Sequence, residues 1–112
     1  MSDCFFCKII AGDIPSKKVY EDEYVYGFYD IDPQAPTHFL VIPKEHIVSC
    51  GGITPENSAS VAKCFEAISK VTKELGLTDF RVVSNCGPQA GQTVFHLHFH
   101  VLAGRDMTWP PG

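Results

Sequence analysis

Apolar side chains follow two rhythms along this chain, and each predicts a different element. Between positions 61 and 75 they recur at helical spacing: Val61, Cys64, Phe65, Ile68, Val71 and Leu75 form one stripe. Thr54 suits the cap of such a helix, Pro55 its first position and Gly76 its stop, so the spacing predicts one long amphipathic helix over 55–75. A short helix is expected over 4–10, with Phe5, Phe6, Ile9 and Ile10 as its apolar side, Ser2 or Asp3 as its cap and Gly12 as its end. Elsewhere the apolar residues alternate or run in short blocks. Segments 18–21 and 24–29 read as a hairpin turning at Asp22-Glu23, 37–42 as a strong strand ended by Pro43, and 80–84 and 93–102 as two more strands. Prolines and glycines punctuate the loops 30–36 and 85–92. Five strands joined mostly by tight turns, with one long helix, imply an α+β fold. The expected core is an antiparallel sheet with that helix on one face, all in one domain over 1–112.

Composition narrows the function classes. The net charge is −4, and no basic run or basic helix face appears, so a nucleic-acid backbone binder is not expected. No apolar stretch approaches a membrane span, and the opening Met1-Ser2-Asp3-Cys4 has neither the basic start nor the apolar core of a signal peptide. A soluble, intracellular, cytoplasmic protein is the expectation. The cysteines number five, an odd count, which argues against a disulfide framework. Cys64 sits on the helix stripe and reads as a small core residue.

The densest chemistry lies in His96-Leu97-His98-Phe99-His100. In a strand, alternate side chains share a face, so all three imidazoles would project together. A histidine-rich strand on a wet face is the bland reading. The sharper one is a site where imidazole serves as nucleophile, proton donor or metal ligand. His98, bracketed by the others, is the natural nucleophile toward phosphorus, with its neighbours neutralising oxygens or protonating a leaving group. Just upstream, Asn85, Gly87, Gly91, Gln92 and Thr93 suit either an anion cradle or an ordinary turn. His38 and His46 are candidates for the same site or for structural roles. Asp30, after Phe28-Tyr29, suits either a ribose hydroxyl pair, with Ile31 and Phe28 against a base, or the opening of a turn. Cys4 and Cys7 have metal-ligand spacing, but zinc needs four ligands, so histidines would have to complete the set. A redox pair or two plain cysteines are the other readings.

Together these residues resemble a known family. His96-Leu97-His98-Phe99-His100-Val101-Leu102 is similar to the His-φ-His-φ-His-φ-φ signature of the histidine triad (HIT) superfamily. The stretch 30–42, Pro43-Lys44-x-His46, Gly91-Gln92-Thr93-Val94-Phe95 and Trp109-Pro110-Pro111-Gly112 look like its nucleotide-binding branch, the HINT proteins. That resemblance implies a purine nucleoside phosphoramidase acting on adenosine 5′-phosphoramidates and acyl or aminoacyl adenylates. It implies His98 as nucleophile, forming a nucleotidyl-histidine that water cleaves to AMP, and His100 at the phosphate and leaving group. His96 would hold the tautomer of His98 through its backbone carbonyl, and His38 would support the network. Asn85, Gly91, Gln92 and Thr93 would line the phosphate side. Asp30 would take the ribose, and Phe5, Phe6, Ile9, Phe28 and Ile31 would surround the base. A homodimer with a ten-stranded sheet is also implied, with Trp109 near the partner's site.

Two departures from that branch stand out. Thr93 replaces a common serine, and Cys4-Phe5-Phe6-Cys7-Lys8 looks like prokaryotic-type members in which such a pair binds zinc. The implied ligands are Cys4, Cys7, His46 and His96, in a structural site, with no cofactor needed for catalysis. A nucleotide-binding interaction module and a nucleotidyltransferase are the competing functions.

Overall fold

A computed structural model describes residues 3–112 of the chain; Ser2, one of the two expected helix caps, lies outside them. Seven main elements appear in the order α1 (Phe5–Ala11), β1 (Lys18–Glu21), β2 (Val25–Tyr29), β3 (Thr37–Pro43), α2 (Ser58–Glu74), β4 (Phe80–Val83) and β5 (Phe99–Ala103). The five strands form one sheet in the order β1-β2-β3-β5-β4, and every neighbouring pair is antiparallel. The fold is α+β, as the spacing implied.

Strand parity sorts the sheet into two faces. Odd positions Val25, Phe39, Val41, Phe99 and Val101 pack with Cys64, Ala67, Ile68 and Val71 of α2. Even positions Tyr26, Phe28, Leu40 and Ile42 pack with Phe6 and Ile9 of α1. The period of two therefore assigns these residues of β2, β3 and β5 to the long helix or to the short one. His38, His98 and His100 share the even face with α1.

Both helices begin later than their patterns suggested, for reasons the periodicity does not carry. Cys4, rather than Asp3, caps α1, its sulfur accepting the Cys7 N–H at 3.2 Å. After Thr54-Pro55 the chain makes one non-helical turn, with the Asn57 side chain bonded to Thr54 and Gly52 backbone, and α2 starts at Ser58. Its end follows the glycine rule. Gly76, with φ of +72°, lets Leu77 N–H reach Thr72 C=O at 2.8 Å and its own N–H reach Lys73 C=O at 3.1 Å.

The histidine strand is shorter than the expected 93–102. Only Phe99–Ala103 pairs in the sheet, so of the triad His100 alone lies in the ladder. In register, Val41 faces Phe99, so a continued ladder would set Pro43 against Leu97. Proline has no N–H to donate there. Leu97 N–H turns instead to Ile47 C=O, at 2.6 Å. This divergence frees the backbone around His96 and His98 for other partners.

Candidate functional site

A cleft of about 400 Å³ opens between α1 and the even face of the sheet. Phe5, Phe6, Ile9, Phe28, Asp30, Ile31, Thr93, His98 and His100, all singled out in the sequence, line it. Ile14, Pro15, Ser16, Tyr29, Leu40 and Val94 complete the wall and carried no signal of their own in the sequence. The wall is largely apolar on the α1 side, and its polar groups converge at His98, His100 and Asp30. That combination suits a flat apolar group joined to a polar, charged one.

The backbone sets His98. Its Nδ1–H donates to the His96 carbonyl at 2.7 Å, which leaves Nε2 with a free lone pair. The backbone of His98 itself is braced as well: Ser84 Oγ–H donates to His98 C=O at 2.9 Å, and Cys50 Sγ lies 3.2 Å from the same hydroxyl. Sequence reasoning missed Ser84, because one serine after a strand carries no distinguishing pattern. The Phe6 ring meets His98 edge-on at 5.1 Å. Burial holds the His98 imidazole below its ordinary pKa, against the pull of the His96 carbonyl and of Asp30. The ring is therefore neutral and nucleophilic at neutral pH.

His100 lies beside it, ring centroids 5.1 Å apart, and burial together with His98 and His38 pushes its pKa down to about 4. Its Nδ1 is 2.9 Å from His38 Nε2. His38 is buried and does not line the cleft; Gln34 N–H donates to its Nδ1 at 3.0 Å. A neutral His38 then carries its proton on Nε2 and donates it to His100, which leaves His100 with Nε2–H toward the cleft. One imidazole thus presents a lone pair and the next a donor. Asp30 Oδ2 stands 3.5 Å from His38 Nε2, tying the acidic edge of the cleft to this pair.

His96 departs from the expected common aim of three rings. Its ring is fully buried and turns away from the cleft toward the cysteines of α1. Its Nε2–H donates to the Pro43 carbonyl at 2.8 Å, so Nδ1 offers a lone pair to Cys4 Sγ at 3.2 Å, Cys7 Sγ at 3.5 Å and His46 Nδ1 at 3.2 Å. Cys7 Sγ and His46 Nδ1 are 3.5 Å apart, and all four atoms lie within 4.8 Å of one another. Tetrahedral zinc with ordinary Zn–N and Zn–S bonds sets its ligand atoms roughly 3.3–3.8 Å apart, so the four donors fit it. The Pro43 carbonyl supplies the outer partner that orients a ligating imidazole. Burial, with Cys4 beside it, pushes the Cys7 thiol up to about 11. Such a thiol is not a redox nucleophile at neutral pH, whereas a bound cation would draw its proton off.

Three residues expected at the phosphate, Gln92, Asn85 and Gly91, lie outside the cleft. The Gln92 side chain is turned inward and braces the loop: Oε1 accepts Gly87 N–H, and Nε2 donates to the Val48 and Val94 carbonyls. It has no group left for a ligand. Asn85 and Gly91 sit together in that loop, and a Cβ on Gly91 would lie 3.5 Å from Asn85 Nδ2, but neither lines the cleft. Trp109 is 82 % exposed, under Arg81 of β4 at 5.9 Å, away from its own chain's cleft.

Comparison with known proteins fits this geometry. The HIT domain family model matches residues 11–107. A 14 kDa zinc-binding protein of Zea mays is 45% identical over 99% of this chain and 89% of its own length. A HIT family hydrolase from Legionella pneumophila superposes with a TM-score of 0.94 at 44% identity, covering 98% of this chain and 100% of that one. A histidine triad nucleotide-binding protein from Candida albicans gives a TM-score of 0.86 at 35% identity, covering 96% and 83%.

Proposed function

The chain belongs to the HIT domain family, and on that premise we infer that it is a hydrolase of the nucleotide-binding branch, cleaving purine nucleoside 5′-phosphoramidates and acyl or aminoacyl adenylates. The observation that carries this reading is the 2.7 Å bond from His98 Nδ1 to the His96 carbonyl, made by a ring that lines the cleft. It leaves one neutral nitrogen lone pair, His98 Nε2, to attack phosphorus. An N–P bond forms to His98 as the bond from phosphorus to the leaving nitrogen or oxygen breaks. His100 Nε2–H stands beside it to donate a hydrogen bond to that leaving group, which takes its proton from solvent water. Water then attacks phosphorus and loses its proton to solvent, the N–P bond to His98 breaks, and the nucleoside monophosphate is released.

The apolar wall of Phe5, Phe6, Ile9, Phe28 and Ile31 suits a purine, Asp30 a pair of sugar hydroxyls, and Thr93 the phosphate oxygens. Zinc, when bound, would be held by Cys4, Cys7, His46 and His96, leaving no open position for substrate. It would tie α1, which walls the cleft, to the residue whose carbonyl holds His98. The homodimer belongs to the same reading. β4 leaves a sheet edge open, and Phe65 and Phe80 are exposed beside it.

His98→Asn separates this reading from a binding module. The variant keeps AMP affinity within a few-fold and loses turnover by more than about 1,000-fold. Turnover unchanged in His98→Asn would exclude the enzyme reading as drawn.

A further inference from the structure

Asp30, His38 and His100 each bring one polar atom into a cluster within 4.8 Å. His38 is the hinge of that cluster. Its Nδ1 is occupied by the Gln34 N–H, and burial keeps its ring below the ordinary imidazole pKa, against Asp30 and Asp32. One proton therefore sits on Nε2, hydrogen-bonded to His100 Nδ1 at 2.9 Å, while the Asp30 Oδ2 carboxylate, 3.5 Å from the same nitrogen, pulls on it electrostatically. Asp30 Oδ1 is already taken by Asp32 N–H at 2.8 Å, so Oδ2 is the oxygen left for a ligand.

Resting on the nucleotide reading above, we propose that the sugar hydroxyls of the substrate set the tautomer of His100 through Asp30 and the positioning residue His38. A hydroxyl donating to Asp30 Oδ2 satisfies that carboxylate and withdraws it from competition for the His38 proton. His38 Nε2–H is then committed to His100 Nδ1, and His100 is committed to the Nε2–H form that can donate to the leaving group. No proton changes residue; one competing pull on a hydrogen bond is removed. Without the hydroxyls, Asp30 continues to draw on the same proton, which weakens the bond to His100 and lets part of the His100 population leave the Nε2–H form for Nδ1–H. The sugar is thereby read in the chemical step as well as in binding.

Two measurements on the full chain test this. The first is long-range 1H–15N spectroscopy of the histidine rings with saturating AMP or 2′,3′-dideoxy-AMP. AMP should move His100 to the Nε2–H tautomer, and the dideoxy nucleotide should leave the ratio of the free protein. The second is steady-state turnover of adenosine phosphoramidate and its dideoxy counterpart. The dideoxy substrate should lose about twofold in kcat, the share of His100 no longer in the donating form. That kcat ratio should fall toward one in Asp30→Asn. Equal tautomer ratios with both ligands, or discrimination confined to KM, would overturn the relay while leaving the hydrolase reading intact. If AMP does not perturb the cleft histidines at all, the nucleotide reading itself fails and the relay with it.

Discussion

Phe6 is where the fold and the site meet, and its truncation should damage both. The ring is 5% exposed, edge-on to Phe28 at 5.4 Å and to His98 at 5.1 Å. Phe→Ala in a packed core costs about 3–5 kcal/mol. Phe6 also faces an open cleft that water can refill, which places Phe6→Ala at the low end, about 3 kcal/mol. At about 2.1 cal/mol/K per residue, the 112-residue chain unfolds with an entropy of about 235 cal/mol/K. The midpoint should therefore fall by about 13 °C. The lost aromatic contact with His98 is worth about 0.5–1.5 kcal/mol, so kcat/KM should drop by up to about tenfold beyond any loss in folded fraction. Calorimetry in zinc-saturated buffer reads the first number, and turnover well below the midpoint reads the second. Phe6→Leu keeps most of the volume and should lower the midpoint by only about 5 °C. A Phe6→Ala midpoint within 4 °C of wild type, with unchanged kcat/KM, would show that α1 does not wall the site as described.

Four further outcomes are expected. Gly104 has φ of +98°, and a Cβ there would sit 2.9 Å from Pro36 Cβ; Gly104→Ala should cost about 2 kcal/mol, and a denaturant midpoint equal to wild type would refute the strain. Purified protein should carry one zinc per chain by elemental analysis and lose it, with several degrees of midpoint, on chelation or in Cys4→Ser; metal-free wild type of equal stability would remove the zinc centre. Burial lowers the pKa of His38, and that of His100 to about 4, so the unfolded chain takes up protons first. Their contribution to stability is complete above about pH 6.5 and fades as pH falls toward 4, and denaturation curves flat across that window would contradict it. Sedimentation should give twice the chain mass, and a charge at the open edge, Val82→Glu, should halve it; a wild-type monomer would refute the dimer.

Much of the fold was legible because two periods assign residues to faces. The stripe from Val61 to Val71 named the helix, and in the structure strand alternation sets Val25, Phe39 and Val41 against it. Boundaries were less legible, since they depend on single hydrogen bonds. The α1 cap is a thiol, a weak acceptor that a Ser/Thr/Asp/Asn rule passes over. The histidine strand stops where Pro43 meets it in register, a long-range coincidence that no window along the chain contains. The same break explains the one shared-face expectation that changed. Alternation placed His96 with His98 and His100, but outside the ladder its ring turned to Cys4 and Cys7, and only its carbonyl serves His98. Gln92 was read as a phosphate donor because glycines and amides beside a histidine strand suggest a cradle. Three loop backbone groups claim its side chain instead, a competition visible only once residues 48 and 92 are adjacent.

The most direct test of the account is mass spectrometry of the full-length enzyme quenched during turnover of an adenosine phosphoramidate. A nucleotidyl group bonded to His98, absent from His98→Asn, is the result expected. Robust turnover with no adduct, or an adduct on another side chain, would contradict the assignment of His98 Nε2 as the attacking atom.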